Sequence, residues 1–251
     1  MRITGLWPLL VTAQLWACGG APTPKPSADP LQLAFEAAVL RASDAYVQDV
    51  RDDLRSVPED TEQVQVVAMM SAATQSRFYG VGVRGQLPEE MNGAPFVLWV
   101  TLEPELRDFC TGPGHRDAPR AQWTRLRQYL GMKPPQADEP PDVLVYLTVH
   151  PLDLIRPCRD PETFDTACTL GVATTYHRHI PAYAKFFEGL AGNGYPFTGL
   201  GYTFDWGRDW SGDAPIPAGA SEYILRPGGP YTVRAVHSVT EDCNGPQPRI
   251  E

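Results

Sequence analysis

The chain has 251 residues, with 21 basic side chains against 30 acidic ones and a formal net charge of −9 at neutral pH. That balance argues against nucleic acid or anionic lipid as an electrostatic partner, because either needs a basic patch to release counterions. Of the basic residues only Lys25, Lys133 and Lys185 are lysine, and with 26 prolines the arginine excess reads as the coding bias of a GC-rich genome rather than as a binding device.

Arg2 is followed by an apolar run from 3 to 17. At about fifteen residues it is too short to span a bilayer and suits the hydrophobic region of a secretory signal. It ends in Leu15-Trp16-Ala17-Cys18, which resembles the bacterial lipoprotein signal. The resemblance implies a signal peptide over 1–17, cleavage before Cys18, diacylation of its thiol and acylation of the new amino terminus. Gly19 occupies the position where Asp marks inner-membrane retention, so the same analogy favours the outer membrane over the inner. An ordinary signal peptide cut elsewhere is the alternative. Residues 18 to 29, with Pro22, Pro24 and Pro26, lack apolar periodicity and read as an extended tether between lipid and domain. More than one acyl chain would make that membrane anchorage stable.

Residues 30–251 are long enough for one domain with a sizeable core. Asp29-Pro30 reads as an N-cap followed by proline at the first helical position. Leu31, Phe35, Ala38, Val39, Ala42, Tyr46, Val50 and Leu54 recur at three- and four-residue steps and predict a helix to about Arg55. The continuous apolar runs 64–70, 96–102 and 143–149 predict buried strands. Between the first two, the glycine-containing segment 77–92 reads as an irregular hairpin or a flap. Short helices are predicted from Pro104 through Phe109, over 122–130 with Trp123, Leu126 and Leu130 on one face, and over 181–190 with Tyr183, Phe186, Phe187 and Leu190 as the apolar face. Residues 221–236 predict a strand, a glycine turn and a returning strand. These elements define an α+β domain with a mixed or mainly antiparallel sheet.

Beyond Cys18 the cysteines are Cys110, Cys158, Cys168 and Cys243, an even number that favours two disulfides in an exported chain. Cys158 with Cys168 would close a local loop, leaving Cys110 to join Cys243 and tie the last strand to an early helix. No Cys-x-x-Cys pair supports a metal cluster. His177 and His179 share a face if extended, and His150 with Asp153 follows a strand end, yet sequence gives no sign that three or four ligands converge; His115 and His237 complete the histidines. No Gly-x-Ser-x-Gly elbow, Walker loop or strand-linked Gly-x-Gly-x-x-Gly occurs, so no cofactor is expected.

Aromatic rings, glycines and acids are densest over 194–210. Tyr202, Phe204 and Trp206 fall on one face of an extended strand while Thr203 and Asp205 face the other. Two readings are open: a ledge of rings that stacks on a small molecule or glycan, with Arg208 beside it, or a core strand whose rings fill the interior. Gly199 and Gly201 allow positive φ or a close backbone approach just before that strand. Further on, Glu222 leads into an apolar strand ending in Pro227-Gly228-Gly229, followed by an alternating strand. This resembles the last motif of arginine-type ADP-ribosyltransferases, and the resemblance implies Glu222 as the catalytic acid on a nucleotide ribose; a solvent-facing acid at a strand start is the bland alternative. The segments 96–110, 156–162 and 195–207 also resemble a family of bacterial proteins without known activity, which implies a single ordered domain. The function expected from the sequence is an envelope binding or accessory lipoprotein using the 195–210 stretch. Its rival is an enzyme on a nucleotide or glycan, with Glu222 or Asp205 as the acid and Tyr202 or Trp206 stacking on substrate.

Overall fold

The computed structural model describes residues 29–58, 60–112 and 118–244. The signal, the tether, Cys18 and His115 lie outside the described residues.

Helix α1, Pro30–Ala42, begins as its sequence predicts: the Asp29 carboxylate accepts the Leu31 N–H at 3.0 Å, and Pro30 sits at the first turn. It ends a dozen residues earlier than the periodicity suggests. The cause is Asp49, whose buried carboxylate is held by Arg41 at 2.8 Å and also accepts the Tyr46 and Ile216 N–H groups. Eight residues of continuous helix would set Arg41 and Asp49 about 12 Å apart along the axis, so the contact requires the chain to fold back. Tyr46 and Val50, apparent members of the apolar stripe, are consequently exposed.

Strand β1, Val64–Ser71, is followed by α2, Ala72–Phe78, then the short strands β2, Arg84–Gln86, β3, Glu90–Met91, and β4, Ala94–Pro95. The glycine-rich connection is thus a hairpin, β3 with β4, preceded by an edge strand. Next come β5, Leu98–Leu102, α3, Glu105–Thr111, α4, Pro119–Tyr129, β6, Asp142–Val149, and β7, Leu154–Ile155. The chain closes with α5, Tyr183–Ala191, β8, Tyr202–Phe204, β9, Ala218–Ser221, β10, Tyr223–Leu225, β11, Pro230–Ser238, and α6, Val239–Asn244. Seven strands form one antiparallel sheet in the order β2-β11-β6-β1-β5-β10-β7, while β8 and β9 make a separate ribbon. The fold is α+β, as the pattern of elements implies.

The strand after the glycine turn does not return beside the one before it. Strands β5, β1 and β6 lie between β10 and β11, yet residues 226–229 alone connect the two. Four inter-strand steps span roughly 19 Å in a flat sheet. The link is a turn, with Gly228 at φ 63° and the Gly229 N–H donating to the Arg226 carbonyl at 3.0 Å. A turn cannot bridge that distance, so the sheet curls until its two sides approach. Val66, Ala68, Val100, Val145, Leu147, Tyr223, Leu225 and Val233 fill the inside of the curl.

The opposite face is covered twice. Val67, Leu144 and Tyr146 pack against Leu106, Cys110, Trp123 and Leu126 of α3 and α4 and against Val239 of α6. Ile155 and Ile224 pack against Tyr183 and Phe187 of α5. The β8–β9 ribbon lies beyond, with α1 against it through Phe35, Ala38 and Ala42. Disulfides join Cys158 to Cys168 and Cys110 to Cys243. Cys243 lies in α6 rather than in the last strand, so the long bridge staples helix to helix.

Candidate functional site

Strands β9 and β10 are consecutive segments of chain broken at one residue, Glu222. Before it, Ser221 pairs with Tyr202 in the ribbon; after it, Tyr223 pairs with Val100 in the main sheet. The Glu222 N–H donates to the Gly201 carbonyl at 2.9 Å, which fixes the crossover. Gly201 has φ 74°, and a Cβ there would come within 2.7 Å of Arg156 Cδ and 2.8 Å of Cys168 Sγ, so the position takes glycine on both counts. The register Tyr223 with Val100 and Ile224 with Trp99, continued by one residue, sets Glu222 beside Thr101; Thr101 in turn pairs with Val67. Cross-strand partners share a face. Val67, Thr101 and Glu222 therefore form a row on the helix-covered face of the sheet.

That row floors a cavity of about 300 Å³ at the seam between the two helical packings. Met69 and Trp99 extend the floor, Leu106, Leu130, Gly131 and Met132 wall one side, and Tyr195, Pro196 and Phe197 wall the other. Exposed Asn193 and Tyr195 mark its mouth. Trp99 and Phe197 meet edge to face, ring centres 6.2 Å apart and planes at 73°. At the mouth the Lys133 ammonium lies 5.0 Å from the centre of the Tyr195 ring.

The polar groups in this lining differ in how they are held. Thr203 Oγ1 donates to the Tyr129 carbonyl at 2.6 Å and accepts the Ala220 N–H at 2.8 Å, so it is spoken for. The Thr101 hydroxyl is buried without a hydrogen-bond partner among the described residues. No hydrogen bond or ion pair reaches the Glu222 carboxyl among them either, and burial alone pushes it up to about 8 from 4.5. Its surroundings solvate a charge poorly, and no neighbouring cation offsets that. A second acid lies behind Ser221: Glu105, pushed up to about 7 chiefly by burial, accepts the Ser221 N–H at 2.9 Å, with Arg55 Nε 3.5 Å from its other oxygen.

Of the two readings left open for the 202–206 rings, the structure has the core one. Tyr202, Phe204 and Trp206 are 1%, 0% and 2% exposed and pack on α1, so they present no ledge to solvent. Tyr202 donates its hydroxyl to the Asp49 carbonyl at 2.7 Å, and Trp206 Nε1 donates to the Met132 carbonyl at 3.0 Å. Asp205 is fully buried, with both oxygens taken by Arg125 at 2.7 Å each; Arg208 Nε, on an exposed side chain, adds a contact at 3.1 Å. Asp205 does not line the cavity, so the two nominated acids do not converge. Glu222 is the nominated residue that does line it, and its side chain is half-buried rather than fully solvent-facing. The rings that face open space, Trp99, Tyr195 and Phe197, are neighbours in space or sequence of those singled out; the separation of Trp99 from 195–197 along the chain hides their association.

The described histidines form no ligand set. His177 Nδ1 accepts the His179 N–H at 3.2 Å, the two rings lie 5.6 Å apart, and burial pulls His177 down to about 4. His150 Nδ1 accepts the Leu152 N–H at 3.1 Å. Among the described residues no group of three or more His, Cys, Asp or Glu side chains is arranged to hold a metal. No helix among them is long and apolar enough to cross a membrane.

Comparison of the chain with protein-family models, with curated proteins and with solved structures found no match.

Proposed function

We propose that this chain is an exported, lipid-anchored binding protein whose domain takes a small, mainly apolar ligand into the cavity beside Glu222. The observation that carries the reading is the cavity itself, of about 300 Å³, apolar on most sides and containing a carboxyl and a hydroxyl that no described protein group satisfies. An unpaired buried polar group costs roughly 1 to 3 kcal/mol, a cost that the Thr101 hydroxyl carries and that a ligand offering a complementary group relieves. Sites of this build, apolar with a few convergent polar groups, are the usual form of small-molecule pockets. A dinucleotide or a glycan is a poorer fit, since its many hydroxyls need more partners than Thr101, Asn193 and Glu222 provide. The enzymatic rival also loses its second acid, because Asp205 is engaged by Arg125.

Screening a panel of small apolar alcohols, amides and amines by thermal shift should yield ligands that raise the melting temperature. Leu130→Phe, which projects from a half-buried position into the space, should abolish those shifts while leaving the far-UV spectrum unchanged. Shifts that survive the substitution would place binding elsewhere.

The anchoring half of the reading rests on Leu15-Trp16-Ala17-Cys18, supported by two disulfides of the sort that persist in oxidising compartments. Cys18→Ala should move the protein from the membrane fraction to the soluble one and abolish incorporation of labelled fatty acid. Unchanged fractionation and labelling would refute lipidation at this cysteine.

A further inference from the structure

We propose that the ligand of this cavity is a small organic ammonium ion, with Glu222 as its counter-ion and Trp99 and Phe197 as the walls that receive it. This rests on the cavity-binding reading above and names the charge class of what binds.

Geometry favours a cation over a neutral guest on three counts. The Glu222 carboxyl faces the cavity without a protein cation near it. Of the elements packed around it, β1, β5 and β8 bring Val67, Met69, Trp99, Thr101 and Thr203, none of which carries charge. Helix α3 brings Glu105, turned away to the Ser221 N–H and Arg55. The 193–197 loop brings Tyr195, and the segment after α4 brings Lys133, held over the outer Tyr195 ring rather than against the acid. A half-buried carboxylate so placed is stabilised as an anion by a mobile cation that arrives with the ligand.

The second count is the pair of rings. Trp99 and Phe197, at 73° to one another, offer a corner in which an alkylammonium contacts aromatic surface on two sides. Thirdly, the Tyr195 ring at the entrance already carries an alkylammonium, that of Lys133, 5.0 Å from its centre. The same side-chain chemistry that would hold a guest is therefore occupied at the rim by the chain's own cation.

Binding a permanent cation must expel the acid proton, because the empty carboxyl is held protonated up to about pH 8. The balance is simple: the protonated acid and a quaternary ammonium combine to an ion pair, and one proton leaves to buffer. At pH 7 this amounts to roughly nine-tenths of a proton per site.

The test uses the full chain, with choline and its uncharged carbon isostere 3,3-dimethylbutan-1-ol as probes, in isothermal titration calorimetry at pH 7 in buffers of differing ionisation enthalpy. Choline is expected to bind at least roughly tenfold more tightly than the isostere, equivalent to about 1.4 kcal/mol. It should release about one proton, and its affinity should rise from pH 6 to pH 8. Glu222→Gln should erase the preference for choline while sparing the isostere. Equal affinities would overturn the cationic class and leave the cavity-binding reading intact. If neither probe binds and the broader panel gives no Leu130→Phe-sensitive shift, the cavity reading falls with it.

Discussion

At pH 8.5, Glu222→Gln is expected to be more stable than the wild type by about 3 kcal/mol in urea denaturation, whereas near pH 4 the two should unfold together. The sign follows from the direction of the shift. Burial pushes the carboxyl from 4.5 to about 8, so between those values the folded protein keeps a proton that the unfolded chain has lost. Stability is then full below pH 4.5 and declines as pH rises through 8. A shift of that size corresponds to about 5 kcal/mol, which access through the cavity mouth reduces to about 3. Glu105, pushed up to about 7, slopes the same way and levels off above that. His177, pulled down to about 4, slopes oppositely between there and 6.5, and His179 is shifted in the same direction. The interval from 6.5 to 8.5 therefore isolates the raised acids, and the wild type should lose about 1 kcal/mol across it through Glu222 alone. A flat or rising wild-type curve there would mean that the carboxyl ionises normally, and the site would lose its defining feature. Asp205→Asn provides the contrast: it weakens a carboxylate engaged by Arg125 through both oxygens, so it should cost about 2 kcal/mol rather than stabilise.

The two acids show what sequence reveals and what it hides. Both read as chemistry-bearing from their neighbours in the chain, and Asp205 is buried and Glu222 half-buried, yet one has a guanidinium eighty residues upstream and the other has none. Periodicity distinguishes inward from outward along a strand; it does not say whether inward means packed core or the wall of a cavity. The same limit applies to Tyr202, Phe204 and Trp206, whose alternation is as expected but whose face is covered by α1. Local rules succeeded where the deciding contact is local: Asp29 as a cap, positive φ at Gly199 and Gly201, the continuous apolar strands β1 and β6. They failed where a distant partner intervenes. Helix α1 stops short because Asp49 returns to Arg41 and Ile216, and the strand after the glycine turn joins β6 and β2 because the whole sheet curls. Neither contact leaves a signature in the spacing of apolar residues.

The largest loss expected on the scaffold side comes from opening the longer disulfide. Cys110→Ala with Cys243→Ala should lower stability by about 5 kcal/mol, from the chain-entropy cost of a loop whose ends are 133 residues apart. The loop encloses α4, β6, the ribbon and the crossover at Glu222, so the bridge restrains the unfolded chain across most of the elements that build the cavity. In the folded state the two cysteines sit where α3 and α6 meet, backed by Trp123, Leu126 and Val239, and Arg107 of α3 also binds Asp242 of α6 at 3.0 Å. Those contacts keep the helices together without the covalent link, so the native fold should persist in the variant with a lower urea midpoint and a larger m-value, because the released unfolded chain exposes more surface. Cys158→Ala with Cys168→Ala opens a bridge across a separation of only ten residues and should cost less, about 3 kcal/mol in the same measure. If the short bridge proves the more costly, stabilisation resides in native packing around Arg156, which Cys168 and Gly201 crowd, rather than in loop closure. Because α3 contributes Leu106 to the cavity wall and Glu105 to the Ser221 amide, loosening the α3–α6 staple should also weaken ligand-induced thermal shifts before the protein unfolds. A variant that loses the full 5 kcal/mol yet retains wild-type ligand affinity would show that the cavity is held by the sheet and the crossover alone.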